Sequence, residues 1–265
     1  MRILNTVPRT VRIAEVTAEN EQVKTFVLDV SLGAKPGQFV MLWIPGLNEK
    51  PFSVALDDGK QMHIAIAAVG PFSLALHELM AGNTVGIRGP FGKGFECEDG
   101  QRIAMLAGGY GAAPLYFFAH EAVGRGCKVD FIVGARRKDL LLFTDRIYGL
   151  GVKLHVATDD GSEGHQGYNT EILVDLIGEV DLIATCGPEL MMAKAAEMAR
   201  GAGIKAQISV ERYMKCGFGV CGNCVVDGLG VPTCVSGPVM SLEEVAGVED
   251  FGKYHRDALG VKHNF

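Results

Sequence analysis

Four of the seven cysteines in this 265-residue chain crowd together: Cys216, Cys221, Cys224 and Cys234. Their spacing, C-x4-C-x2-C-x9-C, constrains the fold more than any other feature. A C-x4-C-x2-C run followed by a distant fourth cysteine is the plant-type pattern of a [2Fe–2S] cluster. Gly217, Gly219 and Gly222 let a loop wrap closely around such a cluster and aim backbone N–H groups at its sulfurs. Zinc is the nearest rival, but its usual signature is a pair of C-x2-C hooks and only one is present. Cys97, Cys127 and Cys186 are scattered; Cys97 and Cys127 read as core or loop residues.

An electron carrier alone does not need 265 residues, so the question is what feeds the cluster. With 48% hydrophobic and 21% charged residues, the chain is not mainly disordered and has the length of about two domains. Its 25 basic and 31 acidic residues give a net charge of −6, which argues against a nucleic-acid groove. No apolar run reaches the ~18 residues of a membrane span, and the segment from Met1 to Val11 lacks a signal-peptide core. A soluble, cytoplasmic protein is expected, in which structural disulfides are rare. Glycine is the outlier, 35 residues, near twice the usual ~7%, which implies many tight turns or many places where backbone meets ligand.

The first hundred residues read as all-β. Val11–Val16, Val23–Val30, Gln38–Ile44, Phe52–Leu56, Met62–Ala67 and Thr84–Arg88 are short β-branched runs separated by turn residues, the pattern of a small antiparallel barrel or sandwich. One helix is expected at Ser73–Met80, with Ser73 as its N-cap. Past Gly100 strands alternate with helices: strands at Ile103–Ala107, Lys128–Val133, Val152–Ala157, Asp181–Thr185 and Gln207–Val210, helices after Gly111 and at Glu171–Ile177 and Glu189–Arg200. That rhythm predicts an α/β doubly wound parallel sheet. The expected division is a barrel over 1–98, an α/β domain over 99–206, a cluster subdomain over 207–240 and a tail over 241–265. In the tail, Leu242, Val245, Val248 and Phe251 make one apolar stripe that either packs on its own domain or joins a docking face.

Gly108-Gly109-Tyr110-Gly111-Ala112-Ala113-Pro114 lies between a predicted strand and helix, where open α/β sheets bind nucleotides. Pro114 stands where G-x-G-x-x-G has its third glycine, and a plain tight turn is the competing reading. Cys186-Gly187-Pro188 forms a second turn at a strand's carboxyl end. Arg136 and Arg137 follow another strand end, placed either to meet phosphate or as a solvated surface pair.

Taken together, Lys50-Pro51-Phe52-Ser53, Gly89-Pro90-Phe91-Gly92, the glycine turn and Cys186-Gly187-Pro188 make the chain resemble the ferredoxin–NADP reductase superfamily. Thr158-Asp159-Asp160-Gly161-Ser162 and the four-cysteine loop are most similar to one branch, the iron–sulfur electron-transfer subunits of type B dihydroorotate dehydrogenases. The resemblance implies FAD against the barrel, its isoalloxazine near Lys50, Pro51, Phe52 and Ser53, with main-chain contacts from Ala65, Ile66 and Ala67 and the pyrophosphate by Phe72 and Ser73. It implies NAD at Gly108, Gly109, Gly111, Cys186, Gly187 and Pro188, and cluster ligation by the four crowded cysteines. Lys50 stands where the family usually has Arg, and Phe72-Ser73 where it usually has Gly-Thr.

The implied partner is an FMN-containing dihydroorotate dehydrogenase catalytic subunit, in a heterotetramer of two of each. Electrons would pass from it through the cluster and FAD to NAD+, in pyrimidine biosynthesis. A flavin belongs between cluster and nicotinamide because it handles both single electrons and hydride. Cys186 would lie near the nicotinamide, in a packing or a catalytic role. The same architecture serves NAD(P)H-oxidising subunits of soluble hydrogenases and ferredoxin–NADP transhydrogenases. A stand-alone reductase and a zinc-stabilised binding module are the remaining alternatives.

Overall fold

The computed structural model describes residues 7–265. Seven strands, β1 (Arg9–Ala18), β2 (Val23–Leu28), β3 (Phe39–Ile44), β4 (Asn48–Ser53), β5 (Leu56–Asp57), β6 (Met62–Ala67) and β7 (Thr84–Phe91), and one helix, α1 (Pro71–His77), make the first unit. The strands pair antiparallel in the order β4-β3-β7-β1-β2-β6-β5, and the sheet rolls until β4 returns against β6. Inside lie Ile13, Val40, Ile64, Ile66 and Ile87, all fully buried. Strand β6 shows the period-two logic: Met62, Ile64 and Ile66 point into this core, while His63, Ala65 and Ala67 are half-exposed.

Two local expectations are corrected. The single strand expected at Phe52–Leu56 is a crossing between edges: β4 pairs with β3, whereas β5 pairs with β6. The first helix starts at Pro71 with Gly70 as N-cap, since a first-turn proline loses no helical hydrogen bond. Ser73 is therefore the third helical residue and not the cap. Its Oγ accepts from the Val69 and Gly70 amides, both at 3.0 Å, and donates to the Gly70 carbonyl at 3.1 Å.

The second unit runs β8 (Arg102–Gly108), α2 (Ala112–Gly124), β9 (Lys128–Ala135), α3 (Thr144–Gly149), β10 (Lys153–Thr158), β11 (His165–Gln166), α4 (Asn169–Leu176), β12 (Leu182–Cys186), α5 (Glu189–Ala202) and β13 (Lys205–Ser209). These strands form a parallel sheet in the order β11-β10-β9-β8-β12-β13. Alternate residues of β8 serve opposite faces. Ile103, Met105 and Ala107 pack with α2 and α3, whereas Ala104 and Leu106 pack with α4 and α5. The sheet is thus doubly wound, and the strand order reverses beside β8, the switch point where such sheets leave a crevice at their carboxyl ends. Helix α2 also joins the two units: Phe117 enters the barrel core, while Phe118 stacks on Phe95 at 5.1 Å.

After β13 the chain leaves the sheet through residues 210–232 and forms α6 (Thr233–Ser236). It re-enters as β14 (Val239–Ser241), antiparallel to β13. Helix α7 (Leu242–Ala246) follows, with a capping box between Ser241 and Glu244. The tail's apolar stripe packs on its own domain: Leu242, Val245 and Val248 are buried, with Phe251 against them, in the α4–α5 core. The last residues form a separate hairpin, β15 (Tyr254–Arg256) and β16 (Lys262–Asn264). Among the described residues no helix is long and apolar enough to cross a membrane.

Candidate functional site

The end of β4 and the outward face of β6 form one side of a cleft of about 240 Å³; the glycine turn, Cys186 and residues 209–214 form the other. Pro51, Phe52 and Ser53 line it, and Ala65 and Ala67 keep its floor low. Ile66 differs: its side chain is in the barrel core, and its carbonyl lies 2.8 Å from His77 Nε2. Phe72 is also in that core, stacked beneath Phe52 at 6.0 Å. Lys50 turns to Tyr213, donating to its hydroxyl at 2.5 Å.

A groove of about 670 Å³ continues from the cleft, sharing Ala67, Val69 and Tyr110 with it. It runs over Gly108, Gly109, Gly134, Arg136, Asp159 and Pro188, across the carboxyl ends of β8, β9 and β10. The glycines here do different jobs. A Cβ on Gly111 would meet the Cys186 carbonyl oxygen at 2.2 Å, and one on Gly187 (φ +147) the Gly108 amide at 2.8 Å. These two glycines lock one turn against the other. Gly109 (φ +54) has open space where a Cβ would stand, so it is the glycine whose freedom faces the groove. Of the two arginines, Arg136 lines the groove, while Arg137 pairs with Asp139 at 2.8 Å and Glu21 at 3.5 Å.

The cleft's electrostatics centre on Glu211. The walls of the cleft and the Glu189 carboxylate raise its carboxyl to about 7, against the pull of Arg212. Glu211, and then burial, push the Tyr110 phenol up to about 12. Burial pushes the Cys186 thiol up to about 12 despite a hydrogen bond with Ser209, so this sulfur stays protonated at neutral pH. Beside Glu211, the Arg212 side chain is 3% exposed and pairs with Glu189 at 2.7 Å and Asp250 at 2.8 Å.

That ion network leads directly into the cysteines. Cys224 and Cys234 are buried with Phe39, Met41, Phe91 and Met214; Phe39 and Met214 also line the cleft. Cys216 is half-buried and Cys221 exposed. The thiols come together as two couples, Cys216 with Cys221 and Cys224 with Cys234, and no three of the described Cys, His, Asp and Glu side chains converge on one metal ion. Burial pushes Cys216 up, but the amides of Cys221, Phe218 and Val220 outweigh it and hold the thiol at about 7. The Cys234 thiol, opposed by burial, draws Cys224 down to about 6, and Cys234 rises in return. The Gly219 amide lies 3.2 Å from Cys234 Sγ, and the Cys234 amide 3.4 Å from Cys224 Sγ. Two thiol couples supplied with N–H donors are a donor set that would suit an iron–sulfur cluster.

An antiparallel barrel, a doubly wound sheet, a cleft between them and a cysteine loop at its end define a reductase of the ferredoxin–NADP reductase class with an iron–sulfur domain. Residues 211–246 match the family described as the iron–sulfur cluster binding domain of dihydroorotate dehydrogenase B. The chain is 45% identical over 253 residues to a probable dihydroorotate dehydrogenase B (NAD(+)), electron transfer subunit, from Methanocaldococcus jannaschii, covering 95% of this chain and 96% of the relative. A protein of the same description from Methanothermobacter thermautotrophicus is 43% identical, covering 96% of each. Among solved structures, one of an NADH-dependent reduced ferredoxin–NADP oxidoreductase superposes with a TM-score of 0.80 at 28% identity, covering 91% of this chain and 93% of that one. A ferredoxin NADP+ reductase from Neisseria gonorrhoeae shares the fold at 19% identity, TM-score 0.64, covering 74% of this chain and 92% of that one. The chain belongs to the family of dihydroorotate dehydrogenase B electron transfer subunits, and such a subunit implies a catalytic partner.

Sequence reasoning missed the wall formed by Ser209, Glu211 and Met214. A signal was available: this segment follows the last parallel strand, at the carboxyl edge where ligands lie, and runs straight into Cys216.

Proposed function

We propose that this chain passes electrons between the flavin of a dihydroorotate-oxidising catalytic subunit and NAD+. One observation carries the reading: Phe39 and Met214 line the cleft and also pack against Cys224 and Cys234, so cleft and cysteine loop share one wall. When bound, FAD supplies hydride chemistry toward NAD+ and single-electron chemistry toward a [2Fe–2S] cluster. Cys216, Cys221, Cys224 and Cys234 hold the cluster. Pro51, Phe52 and Ser53, with Lys50 behind them, seat the isoalloxazine, and the main chain at Ala65, Ile66 and Ala67 lies along it. The segment around Phe72 and Ser73 faces the pyrophosphate. Gly108, Gly109, Gly111, Cys186, Gly187 and Pro188 border the nicotinamide nucleotide.

Around that chemistry the protein provides two groups that stay neutral at neutral pH and one that titrates there. Cys186 and Tyr110 keep their protons, and Glu211, at about 7, can hold or release one. On this reading the domains divide as FAD barrel 1–98, nucleotide domain 99–206, cluster subdomain 207–240 and tail. The partner carries FMN, the assembly holds two of each subunit, and it works in the cytoplasm.

A second reading, a subunit of a ferredoxin–NADP transhydrogenase, has the TM-score of 0.80 in its favour. Reconstitution separates the two. The isolated chain should reduce an artificial dye with NADH and leave dihydroorotate untouched; adding the flavin-containing catalytic subunit should give dihydroorotate:NAD+ activity. Dihydroorotate oxidation by the chain alone would overturn the subunit reading. Cys221→Ser should abolish or alter the reduced-state EPR signal while the barrel stays folded.

A further inference from the structure

We infer that Arg88 is a positioning residue for the cysteine loop and that its charge eases reduction of the cluster, an inference that rests on the function proposed above. Arg88 lies on β7 opposite Met41 of β3. Its guanidinium forms a two-pronged pair with Glu49 of β4: Nε donates to Oε1 at 2.5 Å and Nη2 donates to Oε2. The two side chains are only 7% and 20% exposed. A pair so buried contributes little to stability, because the attraction barely offsets the lost hydration. Its place at the rim of an apolar barrel therefore points to another use.

That use lies toward the cysteines. The guanidinium carbon stands 5.3 Å from the centre of the Phe218 ring and 5.6 Å from that of Phe91. Phe218 is carried between Cys216 and Cys221 in sequence, and Phe91 is buried with Cys224 and Cys234. One cation thus lies over a ring beside each thiol couple. A Cβ on Gly217 would meet Met41 at 3.0 Å and the Phe91 ring at 3.4 Å, so the loop runs directly against the wall from which Arg88 reaches. Ring faces attract a cation, and the fork fixed by Glu49 keeps the planar group in place over them.

The charge matters as well as the contact. Reducing a cluster held by four thiolates adds a negative charge, and its potential follows the charge and solvent exposure of its surroundings. Salt screens a pair this buried only weakly. The cation, rather than the carboxylate, is the end of the pair that lies on the rings. Other charges around the loop are matched or nearer water. Arg212 answers two carboxylates, Glu189 and Asp250, and Asp227 is paired with Arg256, with Lys262 at 4.0 Å. Lys215 is exposed. Lys50, over the Tyr213 ring at 4.5 Å, is half-buried and adds positive charge from the same barrel.

The test is a potentiometric titration of the full, cofactor-loaded chain, followed by the reduced-state EPR signal of the cluster. Glu49→Gln keeps the guanidinium and removes its counter-charge. The cluster should then be easier to reduce by about tenfold, or 59 mV for one electron. Arg88→Gln should shift it by a similar factor the other way. Arg88→Lys keeps the charge without the fork and should stay closer to wild type than Arg88→Gln does. Arg125→Gln, in the turn between α2 and β9 at the opposite edge of the sheet, is the control for a lost cation and should leave the potential unchanged. If Arg88→Gln fails to fold, Glu49→Gln decides alone: a raised potential supports the inference, and an unchanged or lowered one overturns it. Shifts of the same sign in Glu49→Gln and Arg88→Gln would mark the pair as packing only and overturn it too. Unchanged potentials in a chain that holds iron and sulfide would overturn this inference and leave the functional reading standing. A wild-type chain that takes up no iron and sulfide would overturn both.

Discussion

The cysteine loop and the glycine turns of the nucleotide sheet both bring backbone amides to the edge of one cleft, and they do so by opposite means. Residues 210–232 contain no helix or strand and are held from outside by side chains. Arg212 is clamped by Glu189 and Asp250, Tyr213 by Lys50, and Phe218 lies under the Arg88 guanidinium at 5.3 Å. In the turns at Gly108–Gly111 and Cys186–Pro188 backbone rests on backbone at Gly111 and Gly187, while Gly108 lies against the Pro188 and Met191 side chains. A loop whose residues serve a cluster can keep its ligand spacing and borrow its rigidity from charges elsewhere. A turn at a sheet's switch point has neighbours so close that only the absence of a Cβ lets it form.

If that contrast holds, Arg212→Ala should have the largest effect. It leaves Glu189 and Asp250 buried without their cation, a cost of about 3–5 kcal/mol. The loss should appear in denaturant unfolding together with a weakened cluster signal; an unchanged midpoint would mean that the loop carries its own rigidity. Next comes the pair Gly111→Ala and Gly109→Ala. The first drives a methyl into the Cys186 carbonyl and should cost about 1–3 kcal/mol, with flavin content and NADH turnover falling together. The second meets only the strain of a positive φ, roughly 1 kcal/mol, and should raise the KM for NADH with flavin content kept. Equal stability losses in the two variants would erase the distinction drawn between the glycines.

The smallest effect is a pH dependence. Glu211 holds its proton up to about 7 in the folded chain, against an ordinary 4.5. Between those values the folded state binds a proton that the unfolded chain has released, so this residue's contribution to stability falls as pH rises through the window. It is complete below the lower value and lost above the upper one. Glu211→Gln should flatten the unfolding midpoint across that interval relative to wild type. An unchanged slope would show that the carboxyl titrates as an ordinary glutamate.

Much of this was legible beforehand, for reasons that differ by residue. The grouping of the four cysteines could be read because so short a spacing keeps the thiols on neighbouring stretches of chain whatever fold surrounds them. The alternation of β6 and the strand–helix rhythm after Gly100 could be read because burial on one face repeats every second residue in a strand and every third or fourth in a helix. Ser73 was misjudged as a cap because Pro71, two residues earlier, is the stronger start signal. Phe72 and Ile66 lie in the barrel core, a placement that depends on which way a rolled sheet turns its inner face.

The sequence by itself thus determined the kinds of elements, their order and the grouping of four cysteines on one loop, all properties that local spacing and periodicity encode. Tertiary structure alone decided that Gly111 and Gly187 serve packing while Gly109 faces the groove, that Arg212 closes a buried network with residues 23 and 38 positions away, and that the tail's stripe is spent on its own core while the last hairpin forms a sheet of its own. Those outcomes depend on distances between segments remote in the chain, and no pattern along the chain carries such a distance until the sheet is wound and the barrel closed against it.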